Sequence, residues 1–364
     1  DILMDLAYVV DGKPPRDAGP LVQASDWQGR VQLWRLAAGL PVEQSENDRA
    51  ILREALTSLP SQLREIIGGR VSLDHLEAGR LEPAADILEV LDRTQAEAGP
   101  HTRLADARFL LATGRTDDGM AGIIDAEFDN TVVSHLALQT RVRRELAQNR
   151  QVAPQDEIDL DLAARRLAGQ ADAFPLSLLA AEVRAQRNAL GAALEVIDQA
   201  IIDHPERTAE ARRLGARLLA DAELESVGAA EYASTVMGHR SFFRQDRDGE
   251  EKRVAVSEKL TMLGLPNLAL DLLADSRAVA EDGHRLAEAR AQLSTGRPDE
   301  ALMQLRGLPT PEAAVLRAQA LAEIGSYDTA VAETLTLSET EAEALADYAL
   351  LAQDWEVLSD TNVS

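Results

Sequence analysis

Six times along this chain a glycine, or once an asparagine, is followed five positions later by another small residue: Gly79 with Ala84, Gly114 with Gly119, Asn188 with Ala193, Gly264 with Ala269, Gly296 with Ala301 and Gly325 with Ala330. Glycine and asparagine enter the left-handed backbone region at low cost and so end helices. A small side chain shortly afterwards marks a place where two helices cross too closely for anything larger. Upstream, Ala107, Ala181, Ala289 and Ala318 each stand seven positions before their turn residue, two helical turns back on the same face. Helix, left-handed stop and second helix make an antiparallel hairpin, and its recurrence makes a helical repeat. One hairpin cannot bury its apolar face alone, so stacking on neighbours must stabilise it.

The remaining pattern agrees. From Ser45 onward apolar residues recur at three- and four-residue spacing between breaks of Gly, Pro or Asn. A cap at Ser45 or Asn47 precedes Ile51, Leu52, Ala55, Leu56 and Leu59, and Pro60 then stops that helix. Hydrophobic residues make up 45% of the chain but aromatics only 3%, so its interior is built from Ala, Leu, Val and Ile, which suits packed helices better than a sandwich. Residues 1–45 carry Pro14, Pro15, Pro20 and Pro41 and predict an irregular lead-in with short helices, one of them placing Val31, Trp34 and Ala38 on an inward stripe. The polar break Asn149 to Pro154 divides the expected repeats into an N-terminal half, 46–150, and a C-terminal half, 151–364. The longest non-periodic interior stretch, 238–253, predicts an exposed loop or ordered insertion.

In the segment from Phe174 to Pro205, Ala181, Ala193, Ile197, Ala200 and Pro205 stand at the small, small, large apolar, small and terminal-proline positions of a tetratricopeptide repeat, which this chain resembles over about two thirds of its length. A second such unit spans Ala313 to Leu337, with Gly325, Tyr327 and Ala330 at the turn. The early Trp and Leu-Gly positions of the family are mostly absent, and Gly264, Gly296 and Gly325 are 32 and 29 residues apart. The resemblance implies an all-α solenoid, a superhelix of stacked antiparallel helix hairpins with a groove that binds peptides or helices. No residue of the family's carboxylate clamp carries over.

A net charge of −25 opposes phosphate backbones and anionic lipid, which excludes nucleic acid as a partner class. Cysteine is absent, which removes disulfides, thiolate zinc sites and cysteine nucleophiles together. No run approaches the roughly 20 apolar residues that span a bilayer, so direct membrane insertion is not expected. Lys13, Lys252 and Lys259 are the only lysines, and this Arg- and Ala-rich usage matches a GC-rich bacterial genome. A start at Asp1 without an initiator Met fits a piece of a larger protein or an exported chain lacking its leader, with a cytoplasmic location as the alternative.

Motifs for chemistry are missing. His75, His101, His135, His204, His239 and His284 are scattered, without the His-Glu-x-x-His spacing that puts two imidazoles on one helix face. No phosphate-cradling Gly-rich loop ends in Lys-Ser/Thr, and no Gly-x-Ser-x-Gly elbow is present. Asp246, Asp248 and Glu250 around Gly249 carry a trace of a calcium loop, but lack its remaining ligands, and a charged turn is the expected outcome. No cofactor is expected. Phe242 and Phe243 stand among Arg240, Arg244, Arg247 and Arg253 in a chain poor in both residue types, and Arg and aromatic side chains are favoured interface anchors. Arg240, Phe242, Phe243 and Arg244 are therefore the candidate partner-binding residues, the alternative being that the phenylalanines plug and cap a hairpin. The expected function is a non-catalytic scaffold for a peptide or protein partner, with a place as one domain of a larger bacterial envelope or exported assembly among the expectations. An enzyme or small-molecule binder on a helical-repeat framework is the alternative, and would need a deep pocket with convergent polar groups.

Overall fold

The residues predicted to close the hairpins do so in the left-handed region: φ is 72° at Gly79, 89° at Gly114, 61° at Asn188, 75° at Gly264, 71° at Gly296 and 81° at Gly325. The computed structural model of the chain describes residues 30–38, 46–95, 97–129, 133–170, 172–224, 227–244, 246–276, 281–335, 342–354 and 357–358. At Gly79 the glycine N–H donates to Leu76 O at 3.1 Å and the Arg80 N–H to His75 O at 2.8 Å, which satisfies two of the carbonyls a helix end leaves bare. The same two-bond closure recurs at Gly114, Gly264, Gly296 and Gly325, and also at Asn149 and Gln353, whose φ values are 52° and 58°.

The chain divides into two compact units, residues 1–186 and 187–364. In the first, the described helices are α1 (Arg30–Ala37), α2 (Glu46–Thr57), α3 (Ser61–Glu77), α4 (Leu81–Thr94), α5 (Pro100–Ala112), α6 (Thr116–Phe128), α7 (Ser134–Ala147), α8 (Pro154–Arg166) and α9 (Ala173–Gln186). The second contains α10 (Leu190–Asp203), α11 (Thr208–Asp221), α12 (Ala229–Gly238), α13 (Arg247–Met262), α14 (Pro266–Leu273), α15 (Asp282–Ser294), α16 (Pro298–Leu305), α17 (Pro311–Glu323), α18 (Tyr327–Thr334) and α19 (Ala342–Ala352). No strand occurs among the described residues.

Each unit is an all-α solenoid stack. In the first, α3 pairs with α4 and α5 with α6, while α3 and α5 pack on each other. In the second, α13–α14, α15–α16 and α17–α18 form the pairs, and the leading helices α11, α13, α15 and α17 pack in succession. The small residues sit where the pattern demands: Ala84, Ala193, Ala269, Ala301 and Ala330 are fully buried, as are Ala107, Ala181, Ala289 and Ala318 to within 2%. At Gly119 a methyl group would lie 2.7 Å from Leu111 Cγ and 2.9 Å from Ala107 O, so only glycine fits that crossing. Successive leading helices come equally close where Gly69 of α3 meets His101 of α5, 2.4 Å from where a Cβ would stand.

The scarce cations are placed on helix ends. Arg64 of α3 donates to the terminal carbonyls of α2 at Leu56 (3.2 Å), Thr57 (2.9 Å) and Leu59 (2.7 Å), and to Thr94 O of α4 (3.2 Å). Arg317 does the same for Leu305 O and Leu308 O, and Lys259 for Ala222 O. A positive charge is favourable at the negative end of a helix, and the bonds satisfy acceptors that would otherwise face only water.

One expectation is corrected. In α1 the buried residues are Leu33 and Leu36, and Trp34 packs only partly against that core; Val31 and Ala38 are half-buried, so the inward stripe is the leucines. The stretch 238–253 is largely structured: a short 3-10 turn covers Arg240–Phe242, and α13 begins at Arg247, capped by Asp246, whose side chain accepts from Gly249 N–H at 3.0 Å. The helix escaped the periodicity because two of its inward positions hold an ion pair: Arg253 and Glu250 are 2% and 5% exposed and 3.2 Å apart. The break at Asn149 is the turn between α7 and α8, inside the first unit, while most of the expected lead-in, 1–29 and 39–45, lies outside the described residues.

Candidate functional site

Asp74, Arg108 and Arg143 occupy equivalent places near the ends of α3, α5 and α7, 34 and 35 residues apart in sequence. Stacking brings these positions onto one face. Arg143 Nη1 stands 3.3 Å from Glu77 Oε1, so a side chain from α7 reaches one from α3. Between them, Arg108 donates from Nε to Thr140 Oγ1 at 2.8 Å and from Nη2 to Leu136 O at 3.1 Å, which fixes its guanidinium against α7. A shallow cleft of about 310 Å³ opens here, floored by Leu76, Leu111 and Ala112 and edged by Glu77, Arg108, Arg143 and Arg144.

Crowding on this face perturbs its ionisable groups. Desolvation pushes the Asp74 carboxyl up to about 7, and the like charge of Glu77 adds to this, with Asp172 contributing less; Arg70 and Arg80 oppose it. Asp74 is nonetheless exposed to solvent, so water screens much of this interaction. Burial lowers the Arg108 pKa from its usual range, and Glu77, Asp74 and Asp172 partly restore the charged form. Arg108 is thus held in place beside the carboxylates of this face.

The α7 helix that carries Arg143 is also held firmly by Arg141. Its guanidinium makes two 2.8 Å bonds to the Glu127 carboxylate of α6 and reaches Asp156 of α8 at 2.7 and 3.1 Å. These hydrogen bonds raise the Arg141 pKa further above its usual value, so the charge is permanent. The clamp joins three consecutive helices and fixes α7, and with it one wall of the cleft.

The residues singled out in the sequence lie elsewhere, in the second unit. Phe242 and Phe243 are 2% and 4% exposed. Phe242 packs directly on Gly215 of α11 and tilts against His239, with ring centroids 5.0 Å apart. Phe243 lies 5.6 Å from the Arg253 guanidinium and accepts from it through its carbonyl at 3.1 Å. Arg240 donates to Asp275 Oδ2 at 2.9 Å and to Asp271 O at 2.5 Å, and Arg244 pairs with Asp246 at 2.9 Å. Both arginines remain partly accessible while both rings belong to the interior. The calcium-like trace is the N-terminus of α13, and among the described residues no group of three or more His, Asp or Glu side chains is arranged to hold a metal. Among them, too, no helix is long and apolar enough to cross a membrane.

Sequence reasoning missed the face of Asp74, Glu77, Arg108 and Arg143. Its signal was the interval of 34 and 35 residues between charged positions, which becomes meaningful only once those positions are known to be structurally equivalent. Comparison with protein-family models and with curated proteins found no match to this sequence.

Proposed function

We propose that this chain is a non-catalytic scaffold of the tetratricopeptide-like kind, which binds a peptide or protein partner on the face built by its leading helices. The observation that carries this reading is the meeting of Glu77 and Arg143 at 3.3 Å from helices α3 and α7, because it makes side chains of successive hairpins one continuous surface. That surface is open and amphoteric, with an apolar floor and fixed charges of both signs at its edges, which suits an extended chain better than an enclosed small substrate.

The tetratricopeptide-like assignment draws support from the reach of long-range polar contacts. Residues bonded between neighbouring hairpins stand close to one repeat apart: Arg49–Glu82 at 33 residues, Glu65–His101 at 36, Arg108–Thr140 at 32, Val152–Gln186 at 34 and Lys259–Ala222 at 37. Repeats of about 34 residues stacked in register give such separations.

The test is capture of the native partner by the full chain and by two charge reversals, Glu77→Arg and Arg143→Glu, each checked for unchanged helicity and melting temperature. Partner capture is expected to fall about tenfold or more in both variants, the size of effect from a charge juxtaposed with its like. A partner retained equally by both would place binding elsewhere. Arg240 and Arg244 form a second, smaller charged patch; alanine at these two tests it cleanly, whereas alanine at Phe242 or Phe243 would disturb the core as well.

A further inference from the structure

The second unit contains a cavity of about 470 Å³ between α14, α15 and α16, within the range of small-ligand sites. One wall is a stripe on α15, where His284, Glu288 and Gln292 follow at four-residue spacing and therefore point the same way. This stripe is polar where a core helix would be apolar. His284 is 2% exposed and Gln292 5%, and neither His284 Nδ1 nor Gln292 Oε1 has a hydrogen-bond partner. Unpaired buried polar groups are costly, so this wall is not built for stability alone.

Glu288 is held in place, since its Oε1 accepts from Gln292 Nε2 and from Gln304 Nε2 of α16, both at 3.0 Å. Its other oxygen, Oε2, stands 3.6 Å from His284 Nε2, beyond hydrogen-bonding reach, and so keeps accepting capacity. The remaining charged lining is Asp271 of α14, Glu300 of α16 and Arg297, and Arg297 is already paired with Glu300 at 3.1 Å. Three carboxylates against one engaged guanidinium leave the cavity anionic. Leu270 and Leu273 line it with apolar surface.

We propose that this cavity binds a basic nitrogen on an alkyl stem, an ammonium or guanidinium, with the charge on Glu288 and Asp271 and the stem against Leu270 and Leu273. The acceptors select a donor-rich cation over an anion, and the apolar strip selects a stem over a bare ion. Such a group reaches the site as a basic side chain of a peptide or as a free polyamine. The proposal concerns the second unit only and does not rest on the face of α3, α5 and α7, so either can fail alone.

The test is calorimetric titration of the full chain at about 0.15 M salt, where charges beyond roughly 8 Å are screened. The probes are spermidine, the blocked peptide acetyl-Gly-Arg-Gly-Lys-Gly-amide and its counterpart with glutamine at both basic positions. A basic probe is expected to bind and the neutral peptide not to. Glu288→Gln and Asp271→Asn are each expected to weaken binding about tenfold, as loss of one charge-assisted contact does. Glu312→Gln, which removes an exposed charge outside the cavity, is expected to change nothing. Binding of spermidine alone identifies a free amine, and binding of the peptide alone identifies a partner's side chain. If neither basic probe binds, or if Glu312→Gln weakens binding as much as Glu288→Gln, the cavity has no such ligand. The Asp271→Asn arm decides the matter should Glu288→Gln lower the melting temperature, because Asp271 is exposed and its replacement is expected to leave the melting temperature unchanged.

Discussion

Gly215 has no room for a methyl group, because a Cβ there would lie 2.3 Å from Phe242 Cδ2 and 2.5 Å from Cε2 in a ring that is itself buried. Gly215→Ala is expected to cost roughly 1–3 kcal/mol, the usual result of overpacking, as a lowered urea midpoint. Gly264→Ala is expected to cost about 1–2 kcal/mol for a different reason: nothing lies within 4 Å of that Cβ, and only the left-handed backbone resists it. Two neighbouring residues of α3 give opposite pH dependences. Burial and then the charge of Arg80 hold the His75 pKa down at about 4 against an ordinary 6.5, so the native state refuses a proton the unfolded chain accepts; stability is complete above 6.5 and falls as the pH drops toward 4. Both ring nitrogens of His75 also lack partners. The gain in stability from His75→Leu should therefore be roughly 2 kcal/mol larger at pH 5 than at pH 8, read from paired melts. For Asp74 the native pKa is raised from 3.8 to about 7, so its contribution is intact below 3.8 and is lost as the pH rises through 7. Asp74→Asn is expected to gain on the order of 1 kcal/mol at pH 8, discounted for solvent screening, and nothing at pH 3.5, read from paired thermal melts. Neither pKa shift was legible beforehand, because its largest cause is burial, which the stacking of helices sets.

Among elements, α7 is tied to both of its neighbours by one residue. Arg141 neutralises Glu127 and Asp156, whose side chains are 15% and 10% exposed, and its removal would leave two carboxylates half-enclosed without a counter-charge. Arg141→Ala is expected to cost roughly 3 kcal/mol, with hydrogen-exchange protection lost first in α6, α7 and α8. The helices themselves were readable because turn chemistry is local: a left-handed glycine and a small residue five places on announce a hairpin without any knowledge of partners. The turn at Asn149 has the left-handed residue but not the small one five places on, where Pro154 stands. The start of α13 was hidden for the complementary reason, since Glu250 and Arg253 fill inward positions that a hydrophobic pattern expects to be apolar.

For the whole chain, 62 acidic residues against 37 Lys and Arg leave a repulsion that the ion pairs do not cancel. Exposed pairs contribute about 0–1 kcal/mol each and weaken with salt, while the unmatched negative charges repel at every separation inside the screening length. Repulsion is the larger effect at this imbalance, so raising sodium chloride from about 10 mM to about 500 mM is expected to raise the melting temperature. A fall would mean that pairs such as those of Arg141 and Arg184 dominate. The fold class was legible from the repeat, whereas the charged face of Asp74, Glu77, Arg108 and Arg143 was not, because a site assembled from positions about 34 residues apart leaves no contiguous motif. The hairpin turns carry one more consequence. Gly79, Gly114, Gly264, Gly296 and Gly325 touch nothing where a side chain would begin, so selection can hold each glycine only by the modest strain of its backbone. Asparagine at 149 and 188 and glutamine at 353 already tolerate that strain, and a lineage can thus erode its own periodic signature while every hairpin keeps its shape.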